Sequence, residues 1–307
     1  MQPVLQEYQH VFASNQIEIV VPPVRERLSE DELLQWVKDV DGVICGDDKF
    51  TERVLQSAPR LKVIVKWGTG IDSIDQKACA KLGISLRRTR NAFSEPVSET
   101  VLGYVLCFSR QLVAMTQDMR RGIWTKRQGF TLRELTLGVI GVGDIGKLVT
   151  RRCRGLGMRV LGHDIVTVPP EFVGETGIEL VGKEDILRSA DIVTLHCDLN
   201  PTSHHLIGAK ELATMKKTAY LINTSRGPVV DEVALAHALQ SGTIAGVAMD
   251  VFEDEPLPPN SPLRGYDNVL LAAHNSNSSP AAWRRVHENS IQMLMEGLGI
   301  RPAAVRP

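Results

Sequence analysis

The sequence predicts an α/β protein built from two parallel-sheet domains, and three observations carry that prediction. Short β-rich runs alternate with helical stretches along the 307 residues, the pattern of successive βαβ units. The alternation occurs twice, interrupted by one long helical stretch. The second set opens on an apolar strand that runs into a glycine-rich turn and then a helix. Two domains are expected at this length, and 43% apolar with 23% charged residues is the composition of a chain with substantial cores.

The first set opens with a helical stretch over 2–13 and β-rich residues at 17–21. A helix over 31–40, a strand over 42–45, a helix over 49–57, a strand over 62–66 and a helix over 74–82 follow. A long helix is expected over 96–117. The second set continues through a helix over 147–155 and strands over 159–162, 192–196, 219–223, 246–250 and 269–272. A final helix over 281–297 follows the second sheet and is expected to return to the first. The domains are then 1–93 with 279–307, a discontinuous unit, and 94–278. Pro256-Leu257-Pro258-Pro259 reads as a stiff loop rather than a boundary.

A formal charge of −1 gives no general attraction to nucleic acid or anionic membrane. There is no apolar run of about 18 residues and no signal-like start, so a soluble cytoplasmic protein is expected. The five cysteines, Cys45, Cys79, Cys107, Cys153 and Cys197, are odd in number and scattered, and read as reduced core thiols. His196, His204 and His205 read as structural or loop residues with no metal-ligand set around them, so no metal is expected.

The segment Leu137-Gly138-Val139-Ile140-Gly141-Val142-Gly143-Asp144-Ile145-Gly146 carries a Gly-x-Gly-x-x-Gly turn between strand and helix. Gly141 allows the tight turn, Gly143 admits a pyrophosphate to the backbone, and Gly146 lets helix and strand pack closely. The next strand ends at Asp164, 18 residues after Gly146 and near the spacing at which an acid meets an adenosine ribose. Its carboxylate would accept from both ribose hydroxyls but repel a 2′-phosphate, so NAD is favoured over NADP. Ile165-Val166-Thr167 supply no compensating arginine.

Three further segments end strands of the second set, where open α/β sheets place ligands. Asn223-Thr224-Ser225-Arg226-Gly227-Pro228 holds an arginine in a stiff turn, suited to a carboxylate through two parallel hydrogen bonds. Asp250-Val251-Phe252-Glu253-Asp254-Glu255 is a cluster of acids, and Ala273-His274-Asn275 contains a lone histidine. Each alone fits a turn arginine, a solvated acidic loop and a structural histidine. Together they supply a base that titrates near neutrality, a carboxylate to orient it and a substrate clamp.

With the glycine turn and the return helix, these segments resemble the D-2-hydroxyacid dehydrogenase family along nearly the whole chain, and its phosphoglycerate-dehydrogenase-like members in particular. The resemblance implies two Rossmann-like or flavodoxin-like domains with an active-site cleft between them, NAD as cofactor, and homodimerisation through the long helix and an arm holding Trp124 and Arg127. It places the catalytic arginine on Arg226, the glutamate on Glu255 and the acid/base on His274. Cofactor contacts fall on Gly141, Gly143, Asp144, Ile145, Gly146, Asp164, Cys197, Thr224, Ser225 and Asp250, the last accepting from the nicotinamide amide. The loop Lys66-Trp67-Gly68-Thr69-Gly70-Ile71-Asp72 matches the family's substrate loop, whose backbone N–H groups receive the substrate carboxylate.

The resemblance implies 3-phosphoglycerate as substrate, with glyoxylate or hydroxypyruvate reduction as the alternative. An NAD-sensing corepressor is the reading from another class. Glu255 stands where formate dehydrogenases carry glutamine, which disfavours that branch. The chain departs from the family at its start, where the first strand is expected to be missing, and at its end, where no regulatory domain is expected. It also departs at Arg88 and Arg90, where relatives often have Asn and Pro, and at Ala273, where a proline is frequent.

Overall fold

The computed structural model describes residues 4–24 and 26–300. The chain divides into two compact units, Met1–Phe93 with Ser279–Pro307, and Ser94–Ser278.

The first unit holds α1 (Leu5–Ser14), α2 (Glu30–Trp36), β1 (Gly42–Cys45), α3 (Glu52–Gln56), β2 (Val63–Lys66), α4 (Gln76–Leu82), β3 (Ser85–Arg88) and the C-terminal helix Pro280–Gly297. Residues 2 and 3 of the expected first helix, and 301–307 of the expected domain, lie outside the described residues. Except for α1, the helices of this unit start where a side chain satisfies a first-turn N–H. Ser29 and Glu32 form a reciprocal capping box, and Asp75 accepts from Ala78 N at 2.9 Å.

The sheet order is β1-β2-β3, all parallel. Central β2 is buried on both faces, which is why it is apolar without alternation until Lys66. Ile64 packs with Leu33, Val54 and Leu55, while Val63 and Val65 pack with Tyr8, Phe12, Ile291 and Met295. The C-terminal helix approaches closely because glycines meet it on both sides of the contact. A Cβ on Gly297 would lie 2.4 Å from Val63 Cγ2, and one on Gly42 would lie 2.7 Å from Leu294 Cδ1.

Two expectations change here. Residues 17–21 form no strand, and Ile19, Val20 and Val21 stay exposed beside Pro22 and Pro23. No described strand lies beside them, and strand propensity without a partner or a buried face is not expressed. Conversely, Ser85–Arg88 is a strand that the apolar pattern does not reveal, because Arg87 and Arg88 interrupt it.

The second unit contains α5 (Ser94–Ser109), α6 (Leu112–Arg120), β4 (Thr136–Ile140), α7 (Asp144–Gly155), β5 (Arg159–His163), α8 (Pro170–Thr176), β6 (Glu179–Leu180) and α9 (Lys183–Ser189). After these come β7 (Ile192–Leu195), α10 (Ala209–Thr214), β8 (Tyr220–Asn223), α11 (Glu232–Gln240), β9 (Gly246–Met249) and β10 (Val269–Leu271). Seven parallel strands run in the order β10-β9-β8-β7-β4-β5-β6, with a hydrophobic cluster on each face. The order reverses at β4, which pairs β5 on one side and β7 on the other, so the crevice at the carboxyl ends of β4 and β7 is the expected ligand position.

The single helix expected over 96–117 is two helices. Gln111 takes a left-handed φ of 55° between them, and its amide donates to Phe108 O and Tyr220 Oη, each at 3.0 Å. Phe108 stacks on Tyr220 with centroids 4.2 Å apart, so tertiary contacts fix the break. Among the described residues no helix is long and apolar enough to cross a membrane.

Candidate active site

The glycine turn is pinned from both flanks. Gly141 N donates to His163 O and His196 N donates to Ile140 O, each at 2.8 Å. A Cβ on Gly141, whose φ is +91°, would meet the carbonyl carbon of His196 at 2.6 Å, and one on Gly146 would lie 2.1 Å from Gly141 O. At Gly143 a Cβ would meet nothing within 4 Å, and this residue caps α7 with no side chain on the first-turn N–H groups. The turn is crowded where it folds and open where it faces out, which fits a pyrophosphate at the helix N-terminus. Asp144 is exposed and Ile145 half-buried in that first turn.

Asp164 follows β5 and closes the site from the side. Its Oδ2 accepts from Val142 N at 2.6 Å inside the glycine turn, and its Oδ1 accepts from Val166 N at 2.9 Å. The carboxylate therefore organises the turn. Cys197 follows β7, and burial pushes its thiol up to about 11, so the thiol stays neutral.

At the end of β8, Asn223 is fully buried and builds the arginine turn. Its Oδ1 accepts from Ser225 N at 3.0 Å and Ser225 Oγ at 2.8 Å, and its Nδ2 donates to Arg226 O at 2.9 Å. Arg226 donates through Nη1 to Ser225 O at 2.8 Å. Thr224 is buried and its Oγ1 has no hydrogen-bond partner among the described residues. A Cβ on Gly227 would lie 1.9 Å from the carbonyl carbon of Phe252, so only glycine lets the arginine turn pack on the acidic loop.

That loop and the histidine are joined directly. Glu255 Oε2 lies 3.0 Å from His274 Nδ1, and Glu255 Oε1 accepts from Phe252 N at 2.9 Å. The two side chains are 15% and 22% exposed, sheltered enough for the pairing to outlast screening. His274 holds a left-handed φ of 49°, a conformation that non-glycine residues keep only when surroundings impose it. Asp250 imposes it: its carbonyl accepts from His274 N at 2.7 Å, while its carboxylate accepts from Asn275 N at 2.8 Å and Ser276 N at 3.0 Å. The acidic loop is further tied to α11, since Glu253 N donates to Glu232 Oε1 at 2.6 Å. Burial pushes the Glu232 carboxyl up, and the carboxylates of Glu253, Asp254 and Glu255 add to the shift.

The loop over 66–72 belongs to the other unit. Lys66 is buried, its Nζ donating to Gly46 O at 2.6 Å and Asp47 Oδ1 at 2.7 Å, so its ammonium is engaged within the sheet edge. Trp67 Nε1 donates to His287 Nδ1 at 2.9 Å, which requires a neutral imidazole, and burial depresses His287 to about 4. Gly68 takes a φ of +123°, and Thr69 Oγ1 donates to Thr89 O at 3.1 Å. Gly70 is half-buried beside them.

Asn223 and His287 are positioning residues to which the sequence reading gives no role, and Gly227, read there as stiffening the arginine turn, also lets that turn pack on the acidic loop. The expectation that no metal-ligand set surrounds the histidines is corrected at one place. His205, Asp231 and Glu253 can each bring one ligand atom to within 4.8 Å of the others, and His205 Nε2 lies 2.9 Å from Glu253 Oε1. These polar groups tie the 204–205 loop to the start of α11 and to the acidic loop. His196 sits apart from them, and burial depresses it to about 3.

Comparison with known proteins agrees with this geometry. Residues 102–276 match the model of the D-isomer specific 2-hydroxyacid dehydrogenase NAD binding domain. A glyoxylate reductase of Thermofilum pendens is 38% identical over 292 residues, covering 92% of this chain and 85% of the reductase. A D-3-phosphoglycerate dehydrogenase of Methanocaldococcus jannaschii is 39% identical over 259 residues, covering 83% of this chain and 49% of that enzyme. The crystal structure of D-lactate dehydrogenase from Aquifex aeolicus, complexed with NAD and lactic acid, superposes with a TM-score of 0.86 at 28% identity, covering 97% of this chain and 93% of that one. The crowded glycine turn, the acid beyond β5 and the paired Glu255 and His274 thus stand in a chain that belongs to the D-isomer specific 2-hydroxyacid dehydrogenases, a family of NAD-dependent oxidoreductases.

Proposed function

We propose that the protein interconverts a 2-hydroxyacid and the matching 2-oxoacid, with Arg226, Glu255 and His274 as the residues that act on the substrate. The observation that carries this reading is the 3.0 Å contact between Glu255 and His274 Nδ1. A proton on Nδ1 directed at the carboxylate leaves Nε2 as the nitrogen that exchanges a proton with substrate. In oxidation His274 takes the hydroxyl proton, and in reduction the imidazolium, favoured by Glu255, returns it to the carbonyl oxygen. Arg226 presents a planar fork that holds the carboxylate in two hydrogen bonds and polarises the reacting oxygen.

Bound NAD supplies the hydride acceptor in oxidation and, reduced, the donor. Gly141, Gly143, Gly146, Asp144 and Ile145 would line its pyrophosphate, Asp164 its ribose, Cys197, Thr224 and Ser225 its inner face, and Asp250 its amide. In the first unit, the backbone of Lys66, Trp67, Gly68, Thr69 and Gly70 would receive the substrate carboxylate. The substrate readings are 3-phosphoglycerate and, with the same machinery, glyoxylate or hydroxypyruvate; relatives of both names support them.

NADH absorbance with purified protein and a panel of 2-oxoacids tests the reading. Consumption that depends on the 2-oxoacid is expected. Its absence, with NAD binding retained, would favour a corepressor-like sensor. We also propose a homodimer formed through α6 and the arm that follows, where Leu112, Met119, Ile123, Phe130 and the 84%-exposed Trp124 present apolar surface. Sedimentation of the parent and Trp124→Glu should show dimer and monomer. A monomeric parent would remove that proposal. The five cysteines are free, and we propose a reducing compartment, the cytoplasm, for the protein.

A further inference from the structure

We propose that Arg88 and Arg90 form a subsite for a second anionic group, so that the substrates are 2-hydroxyacids and 2-oxoacids with a phosphate ester or carboxylate beyond the reacting carbon. This rests on the reading above, in which the 66–72 loop receives the first carboxylate.

The register places the subsite. β2 and β3 are parallel with Lys66 opposite Arg88, so the ends of both strands stand side by side at the carboxyl edge of the sheet. Side chains alternate along β3. Arg87 turns to Glu296 at 2.8 Å, while Arg88 reaches the loop, donating through Nη1 to Thr69 O at 2.9 Å. Thr89 is locked under the same loop, its N donating to Gly68 O at 3.1 Å and its O accepting from Thr69 Oγ1 at 3.1 Å. Its Oγ1 is buried without a hydrogen-bond partner among the described residues.

The charges do not balance there. Lys66 is met by Asp47 at 2.7 Å and Arg87 by Glu296, but Arg88 and Arg90 enter no ion pair among the described residues. A role for Arg88 as a strut of the loop uses one of its five N–H donors and gives no reason for Arg90. Two guanidinium groups without a carboxylate partner among the described residues, two positions apart on the chain that leaves β3 beside the loop proposed to receive the first carboxylate, suit a second anion.

The test compares matched substrates that differ in one group. The parent should reduce 3-phosphooxypyruvate with a kcat/KM about tenfold or more above hydroxypyruvate, and oxaloacetate above 2-oxobutyrate if carboxylates also fit. That preference should shrink as salt rises from about 0.05 to about 0.3 M. Arg88→Gln should lower the ratio within each preferred pair about tenfold. Arg90→Gln, at an exposed position where misfolding is not expected, should lower it several-fold, and Arg90→Glu more. A drop in the first pair only assigns the subsite to phosphate, and a drop in both to anions generally. Parent ratios near one, or ratios unchanged in all three variants while hydroxypyruvate is still turned over, would overturn the subsite and leave the dehydrogenase reading standing. A parent that consumes no 2-oxoacid would overturn both.

Discussion

The two sheets hold their functional loops by different means. In the second unit the seven-stranded sheet buries β7 and β9 completely, and the turns of the candidate site are fixed by groups at its own strand ends, main chain around Gly141 and the side chains of Asp164, Asn223 and Asp250 elsewhere. Gly141 is clamped between the ends of β5 and β7, and His274 is bent by Asp250 beside it. In the first unit only β2 is fully buried, while β1 and β3 are largely half-exposed. There the loop over 66–72 is held by side chains reaching from elsewhere: Arg88 on Thr69, His287 on Trp67 and Asp47 on Lys66. The large parallel sheet positions its turns from residues at its own strand ends, whereas the small one borrows a distant helix and polar struts.

Substitutions can break that contrast. The largest effect is expected in the second unit at His274, where His274→Ala should lower turnover by roughly 10² to 10⁴-fold. NAD binding, followed by protein fluorescence, should survive, because the glycine turn does not depend on the imidazole. Loss of cofactor binding with the activity would mean that the residue is structural.

Next comes Arg226→Lys, expected to reduce kcat/KM by about two orders of magnitude because an ammonium cannot reproduce a planar two-pronged contact. Near-normal kinetics would return Arg226 to the role of a turn residue. Asp164→Ala should narrow the preference for NAD over NADP. One pair of like charges at about 4 Å costs about 4 kcal/mol at an effective dielectric near 20, but this carboxylate also serves Val142 N, so binding of both cofactors should weaken. A parent that uses NADP as well as NAD would remove the electrostatic argument.

The smallest effect concerns stability rather than chemistry. Gly297→Ala forces a Cβ against Val63 at 2.4 Å and should cost about 1–3 kcal/mol, read as a lower Tm. Gly155→Ala, in open space on α7, should be neutral or gain up to about 1 kcal/mol. Equal shifts at both positions would contradict the claim that the small sheet depends on a close helix contact.

Much of the second unit was legible in the sequence because its functional residues lie on or beside strand ends within short motifs. Gly141, Gly143 and Gly146 announce their turn by spacing alone, and Asp164 by its distance from it. Glu255 and His274 were legible as residue types, but their 3.0 Å approach depends on Asp250 and Gly227, whose contacts run between separate loops. The first unit was less legible. Its strand over Ser85–Arg88 carries two arginines where a pattern reader expects apolar residues, and residues 17–21 look like a strand yet pair with no strand among the described residues. Periodicity reports which segments favour a pleated conformation; it does not report whether a partner lies alongside.

The central claim is that Glu255 tunes His274, and the pH dependence of 2-oxoacid reduction tests it most directly. Reduction requires the imidazolium, and a negative neighbour raises the pH to which that form persists. Glu255→Gln keeps the size and a hydrogen bond but removes the charge, so the rate should fade at lower pH than in the parent. The account predicts an alkaline limb displaced toward acid, with the shape otherwise kept. Coincident profiles in parent and Glu255→Gln enzymes would contradict it and leave the glutamate as a loop acid that braces Phe252.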